Sequence, residues 1–294
     1  MMRTQLAVVG LLAAAVLAGC APTRIAGPGR LPEVDRPAGP VPSYREIAER
    51  YNANLSGLDR LWATSVTSLR WVDEEGDRQF EQGEGNFIFV QPRNVALTIG
   101  KLGEPKLWGG SSETHYWLFE LLGDPETAWI GRHRYIGRPC ARELPIPVNP
   151  TRVPYLLGLL PLEQEIDDPP EVEVYRGYYV LYYRQDQLRM VLDPETYRPV
   201  RVDLTNEAGE SVVISRLYDP EGVDMLGIPA AAGPKVASRA EIFVPGEEAQ
   251  MKLFLSNLTD GREEGKINEA AFNLDRLIRA YEPERLILLD EACE

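Results

Sequence analysis

Histidine and cysteine are scarce in this chain: two and three among 294 residues. That scarcity removes most catalytic and metal chemistries. A Ser-His-Asp site would have to use His115 or His133, and no G-x-S-x-G turn accompanies either. Zinc needs three or four ligands, and there is neither an H-x-x-x-H nor a C-x-x-C. No G-x-G-x-x-G and no phosphate-binding loop occur. Glu74-Glu75 and Asp167-Asp168 are paired acids of the kind glycosidases use, but both lie in polar, turn-like segments. Basic charge is also short. Against 45 Asp and Glu stand 31 Lys and Arg, a net charge of −14, so the phosphates of a nucleic acid have no basic face to meet. Beyond the first 19 residues nothing approaches the roughly 20 apolar residues of a spanning helix. The expectation is a non-enzymatic protein with no metal, no cofactor and no nucleic-acid partner.

What is present begins at the N-terminus. Arg3 precedes an apolar run from Leu6 to Leu17, and then come Ala18, Gly19 and Cys20. The run has signal-peptide length and is too short to span a membrane. With small residues directly before the cysteine, the segment resembles the bacterial lipoprotein signal. That resemblance implies cleavage after residue 19, an acylated Cys20 as the membrane anchor, and residence in the cell envelope. Ala21, where some lipoproteins carry an inner-membrane aspartate, implies the outer membrane, facing the periplasm. An oxidising compartment leaves Cys140 and Cys293 as a possible disulfide. Residues 21–42 hold six prolines and three glycines without apolar periodicity. They read as a tether, 20–42 with the anchor, reaching about 25 to 70 Å. The folded part is then 43–294.

That part opens with an S-x-x-E capping box, Ser43 to Glu46. Ile47, Tyr51, Leu55, Leu58 and Trp62 follow at helical spacing, which predicts one amphipathic helix from about Tyr44 to Trp62, weakened at Gly57. The period then changes to two. Short alternating runs separated by turns such as Gly103-Glu104-Pro105 and Asp193-Pro194 predict about ten strands of an antiparallel meander. A proline-bounded piece, Pro154 to Pro161, predicts a short central helix. Ile267 to Glu294 shows no firm period. Several strands carry large apolar residues on both faces, as in Phe87, Ile88, Phe89, Val90. A free antiparallel sheet usually shows one polar face to water. Either both faces pack against ordinary core, or a strongly curved sheet wraps helices and leaves an apolar concavity.

The order of motifs resembles the LolA/LolB-like family of periplasmic lipoprotein carriers and receptors. The resemblance rests on the N-terminal amphipathic helix, GEGNFIFVQPRNVAL, THYWLFEL, NPTRVPYLLGLLPL, LDPETYRPVRVDLTNEAGESVVISRL and INEAAFNLD, covering residues 43–275. It implies an incomplete antiparallel β-barrel with helices as a lid. The implied activity is binding the acyl chains of lipoproteins or lipids, for carriage or insertion at the outer membrane. Two features depart from it: the receptor's protruding loop has no assignable counterpart, Leu156-Leu157-Gly158-Leu159-Leu160 reading better as a buried lid, and the tail from Asp275 is additional. On this reading Ile47, Tyr51, Leu55 and Trp62 face a cavity lined by Trp71, Phe87, Phe89 and Trp117, with Tyr179 and Leu181 from the second half. The alternative is a non-catalytic structural or interaction module of the envelope, whose protein partner the sequence does not name.

Overall fold

The computed structural model describes residues 29–293 apart from 73–75, 122, 147 and 263–264. Cys20, the signal segment and the tether up to residue 28 lie outside the described residues. Serine 43 caps the first helix, α1 (Tyr44–Asn54), through the reciprocal bonds the sequence predicts: Ser43 N donates to Glu46 Oε2 (2.7 Å) and Glu46 N to Ser43 Oγ (3.4 Å). The helix stops eight residues before the expected end. Leu55 to Asp59 turn the chain, with Gly57 at φ +79°, and β1 (Arg60–Val72) begins. A left-handed residue at low cost is what glycine supplies there. Trp62 therefore belongs to a strand. It merely falls in phase with the helical stripe.

Among the described residues fourteen strands form a single sheet. The first half is a meander of β1, β2 (Arg78–Val90), β3 (Asn94–Lys101), β4 (Glu104–Ser111), β5 (His115–Glu120) and β6 (Thr127–Arg132). The second half is another: β7 (Val172–Tyr175), β8 (Tyr178–Tyr183), β9 (Leu188–Leu192), β10 (Pro199–Thr205), β11 (Ser211–Gly222), β12 (Lys235–Val244) and β13 (Ala249–Thr259). The two are joined where β1 pairs antiparallel with β13, Val66 opposite Phe254. One edge is β7. The other is β14 (Arg285–Leu288), which adds parallel to β6, Leu286 opposite Ala128. The sheet is thus curved and unclosed, the incomplete barrel that the resemblance implies. Bulges in the β1–β13, β3–β4, β9–β10 and β10–β11 ladders supply extra twist. At Gly85 the backbone of β3 comes so close that any Cβ would overlap the Thr98 carbonyl.

The concave face holds the main core. Leu61, Phe87, Phe89, Leu181, Ile242 and Leu253 meet Ile47, Ala48 and Tyr51 of α1. They also meet a central segment made of a 3₁₀ turn (Pro150–Arg152) and α2 (Val153–Leu156), running on through Leu159. The convex face is covered in two places. A third helix, α3 (Leu274–Tyr281), lies across β5 and β6 where the sequence shows no firm period, and Leu277 packs on Trp117, Phe119 and Ile130. Its eight residues are too few for a clear repeat. On the other half the expected free tether is docked: Leu31 is buried with Tyr178, Val180 and Val191, and Val34 N donates to Arg176 O (3.1 Å).

Candidate functional site

Alternation along β1 sets the inner surface. Leu61, Ala63, Ser65 and Thr67 point inward and are buried. Cross-strand partners share a face, so Phe87 and Phe89 of β2 (opposite Ala63 and Leu61) point inward as well. On the far side Tyr179 and Leu181 do the same, opposite Leu192 and Met190. With Trp71 packed at the margin, these predicted residues form one concave surface. Ile47, Tyr51 and Leu55 lie on it from α1.

Two predicted residues do not. Trp62 sits on the convex face, half-buried, with the Lys266 ammonium 4.3 Å from its ring centroid. Trp117 is fully buried, but on the convex side beneath α3, while its neighbours Tyr116 and Leu118 face inward with Leu144. The strand THYWLF is apolar on both faces, so no contrast in the sequence marks which of its residues point in.

The inner surface is occupied by the chain itself. α1 and residues 150–163 form a plug that is bonded internally. The Tyr51 phenol shares its proton between the carbonyls of Gly158 (2.9 Å) and Leu160 (3.1 Å). Asn52 and Leu162 exchange two bonds of 2.8 Å, and Tyr44 Oη donates to Glu163 O. Burial pushes the Tyr51 phenol far above its ordinary value, and burial also raises Tyr44 and Tyr183, so all three remain neutral donors. Toward the sheet, the described side-chain hydrogen bonds from α1 are only two: Tyr183 Oη to Tyr44 Oη (3.3 Å), and Asn54 Nδ2 to Thr196 O (2.9 Å) in the β9–β10 turn. Apart from the Arg50 guanidinium over the Tyr197 ring, 4.9 Å from its centroid, the rest of the described seam is apolar packing. It includes Leu156, Leu157 and Leu159, all buried, so the Leu-rich run is a lid rather than a protruding loop.

The seam is not sealed everywhere. At the rim between α1 and the strand ends of β10 to β12 a cavity of about 320 Å³ opens, with Tyr51, Leu55, Leu157, Pro199, Leu217 and Val236 on its walls. Deeper in, the hydroxyls of Ser65, Thr67 and Ser215 are buried with no hydrogen-bond partner among the described residues. Sequence reasoning missed these polar points. The departure of Ser65 and Thr67 from an otherwise apolar inward series was their only signal.

One histidine ring bonds the backbone and the other a neighbouring hydroxyl. His133 Nε2 lies 2.9 Å from Ser112 O and 3.2 Å from His115 O, and burial holds its imidazole below the usual histidine range. His115 Nδ1 meets Thr114 Oγ1 at 2.8 Å. Among the described residues no three His, Cys, Asp or Glu side chains come together as a metal site. Cys140 and Cys293 are joined, Cα atoms 5.2 Å apart, tying the C-terminus to the loop after β6.

The molecule is thus an unclosed antiparallel barrel whose hollow is filled by its own helices. No known protein family and no curated protein matches the sequence. Among solved structures it is similar to a LolA superfamily protein from Nitrosomonas europaea, at 10% identity and a TM-score of 0.47 over 80% of this chain and 99% of that one. It is also similar to a DUF1329 family protein from Desulfovibrio piger, at 14% identity and 0.43 over 80% and 97%. A putative outer membrane lipoprotein-sorting protein domain from Vibrio parahaemolyticus matches at 13% identity and 0.41 over 79% and 97%. These are likenesses of overall shape.

Proposed function

We propose that this chain is a non-enzymatic envelope lipoprotein, anchored at Cys20 in the outer membrane, that takes up acyl chains of lipids or lipoproteins between its curved sheet and the helical plug. The observation that carries the reading is the plug's bonding. It is held together by Tyr51, Asn52 and Tyr44, yet it meets the sheet mainly through apolar contact. Such a unit can shift without breaking its own hydrogen bonds. Apolar burial stabilises at about 25 cal/mol per Å², whether the buried surface belongs to the plug or to an acyl chain. Exchange of one for the other is therefore nearly neutral and reversible. The unpaired hydroxyls of Ser65, Thr67 and Ser215 would give the ester or amide carbonyl of such a ligand a donor.

The test uses the mature chain with Cys20→Ala, titrated with a pyrene-labelled monoacylglycerol. Saturable uptake is expected. Phe89→Asp, which places a charge on the inner face, should weaken it at least about tenfold, whereas Glu207→Gln in an exposed turn should not. Absence of uptake, with no acyl chain extracted from the native protein, overturns the reading. A second reading, an interaction module without a ligand, has two observations in its favour. The hollow is filled, and β7 leaves Val174 and Tyr175 exposed on a free sheet edge.

A further inference from the structure

The rim cavity has a neighbour. A second cavity of about 290 Å³ is walled by Ala53, Asn54, Ser56, Arg198, Lys235 and the 232–234 turn, with Ile228 above. Asn54, Arg198 and Lys235 line both, so the two are lobes of one cleft. Their walls differ. The first lobe is largely apolar and also carries Asp193 and Glu195. The second has two cationic side chains and no carboxylate among its described walls. In a chain of net charge −14, that concentration of positive charge is informative. Neither cation forms an ion pair with a described residue, and the Nε of Arg198 is buried without a hydrogen-bond partner. Of the two acids on the first lobe, Asp193 is engaged, its Oδ1 accepting from Glu195 N (3.2 Å), Thr196 N (2.8 Å) and Thr196 Oγ1 (2.8 Å), whereas the exposed Glu195 forms no ion pair with a described residue.

The turn that presents Arg198 is strained. Tyr197 is buried at φ +58°, with its ring packed on Tyr179 at 5.6 Å and the Arg50 guanidinium 4.9 Å from its centroid. A bulky side chain in the left-handed region is uncommon, and such residues gather at ligand clamps. Here the strained residue directs the next one into the cleft.

We infer that the cleft is a binding site for a single-chain anionic amphiphile, with its chain in the first lobe against Leu55, Leu157, Leu217 and Val236 and its carboxylate or phosphate between Arg198 and Lys235 in the second. This assignment rests on the acyl-uptake reading and adds a headgroup to it. An anion there would pair with two otherwise unpaired cations, while the chain end lies beside Tyr51 and Leu157, where the plug meets the sheet. The site is thus the entrance at which the plug is first displaced. The last carbonyls of α1 also approach this corner, and cations near a helix C-terminus are favourable without any ligand. The experiment separates the two roles.

The Cys20→Ala mature chain, loaded with the neutral pyrene monoacylglycerol, is competed at pH 8 with palmitate and with monopalmitoylglycerol. Palmitate should compete about tenfold better, the size of one partly exposed charged hydrogen bond. The double variant Arg198→Gln, Lys235→Gln should abolish that preference and leave the neutral competitor unchanged. Equal competition in the unmodified cleft, or a double variant that weakens both ligands alike, overturns the headgroup site while neutral uptake still supports the broader reading. Failure of every acyl probe to bind overturns both. Inorganic phosphate alone should show no calorimetric binding below about 1 mM. Tighter phosphate binding that the double variant removes would assign the lobe to a free anion and overturn the amphiphile.

Discussion

The Tyr51 phenol lies at the centre of the plug, 1% exposed, with the Gly158 and Leu160 carbonyls as its acceptors. Those carbonyls belong to a segment that has already left helical geometry, Gly158 standing at φ +64°, so a side chain must satisfy them. Tyr51→Phe keeps the ring and removes the bonds. It should cost about 1–2 kcal/mol of stability, because two buried carbonyls lose a donor. Thermal unfolding measures that cost. Since the plug shifts against the sheet with these internal bonds intact, the same variant should take up the pyrene-labelled lipid at an unchanged rate, as stopped-flow fluorescence would show. A faster variant would mean that the plug opens between its own halves instead.

Among the elements, β14 pairs with β6 and is followed by a largely buried ion pair. Its four residues end beside Asp290, whose Oδ2 accepts from Arg132 N (2.9 Å) and Nε (2.8 Å) and whose Oδ1 accepts from Nη2 (3.2 Å). Burial alone would raise this carboxyl, but the Arg132 bonds outweigh burial and hold it below its ordinary 3.8. A depressed folded pKa stabilises the docked state fully above the ordinary value and loses that contribution as pH falls through the folded one. Protection of the β14 and β6 amides, corrected for intrinsic exchange, should therefore drop as pH is lowered below about 4. Asp290→Asn should show reduced protection at neutral pH and a flatter profile. The Cys140–Cys293 bond keeps the strand's end nearby in either case.

For the whole molecule, with Cys20 as the proposed anchor, the docked tether would shorten the reach from membrane to domain. An unattached stretch from Cys20 to Pro42 could extend to about 75 Å, whereas one ending at Gly29 extends to about 30 Å. Leu31 buried on Tyr178 and Val180, Val34 bonded to Arg176, and the Gly29 carbonyl accepting from Arg216 place that end on the convex face of the second meander. Leu31→Asp should release it, and a glutamate-specific endopeptidase should then cut after Glu33 faster than in the unaltered chain; equal rates would mean that the clip does not hold in solution. The anchor is read from the mass of the mature N-terminal peptide. Cys20 should be the first residue and carry acyl mass, and an unmodified cysteine would remove the membrane from the account.

Much of this was legible locally. The capping box at Ser43, the strand alternation, the turn at Asp193-Pro194 and the buried lid at Leu156 to Leu160 each depend on neighbours in the chain, and the sequence by itself determined them. It also determined that Phe87 shares a face with Phe89, and Tyr179 with Leu181, because side chains two apart on a strand point the same way. The end of α1 was misread because Trp62 lies at helical spacing from Leu58 even though the chain turns between them. Only the tertiary structure decided which face of β5 carries Trp117, that β14 joins β6 in parallel, that Leu31 docks on the convex face, and that Arg198 and Lys235 share a cleft. Each of these depends on pairings between residues far apart in sequence. A single-residue slip in strand register inverts every side chain, so periodicity states that two faces exist but not which one is turned inward.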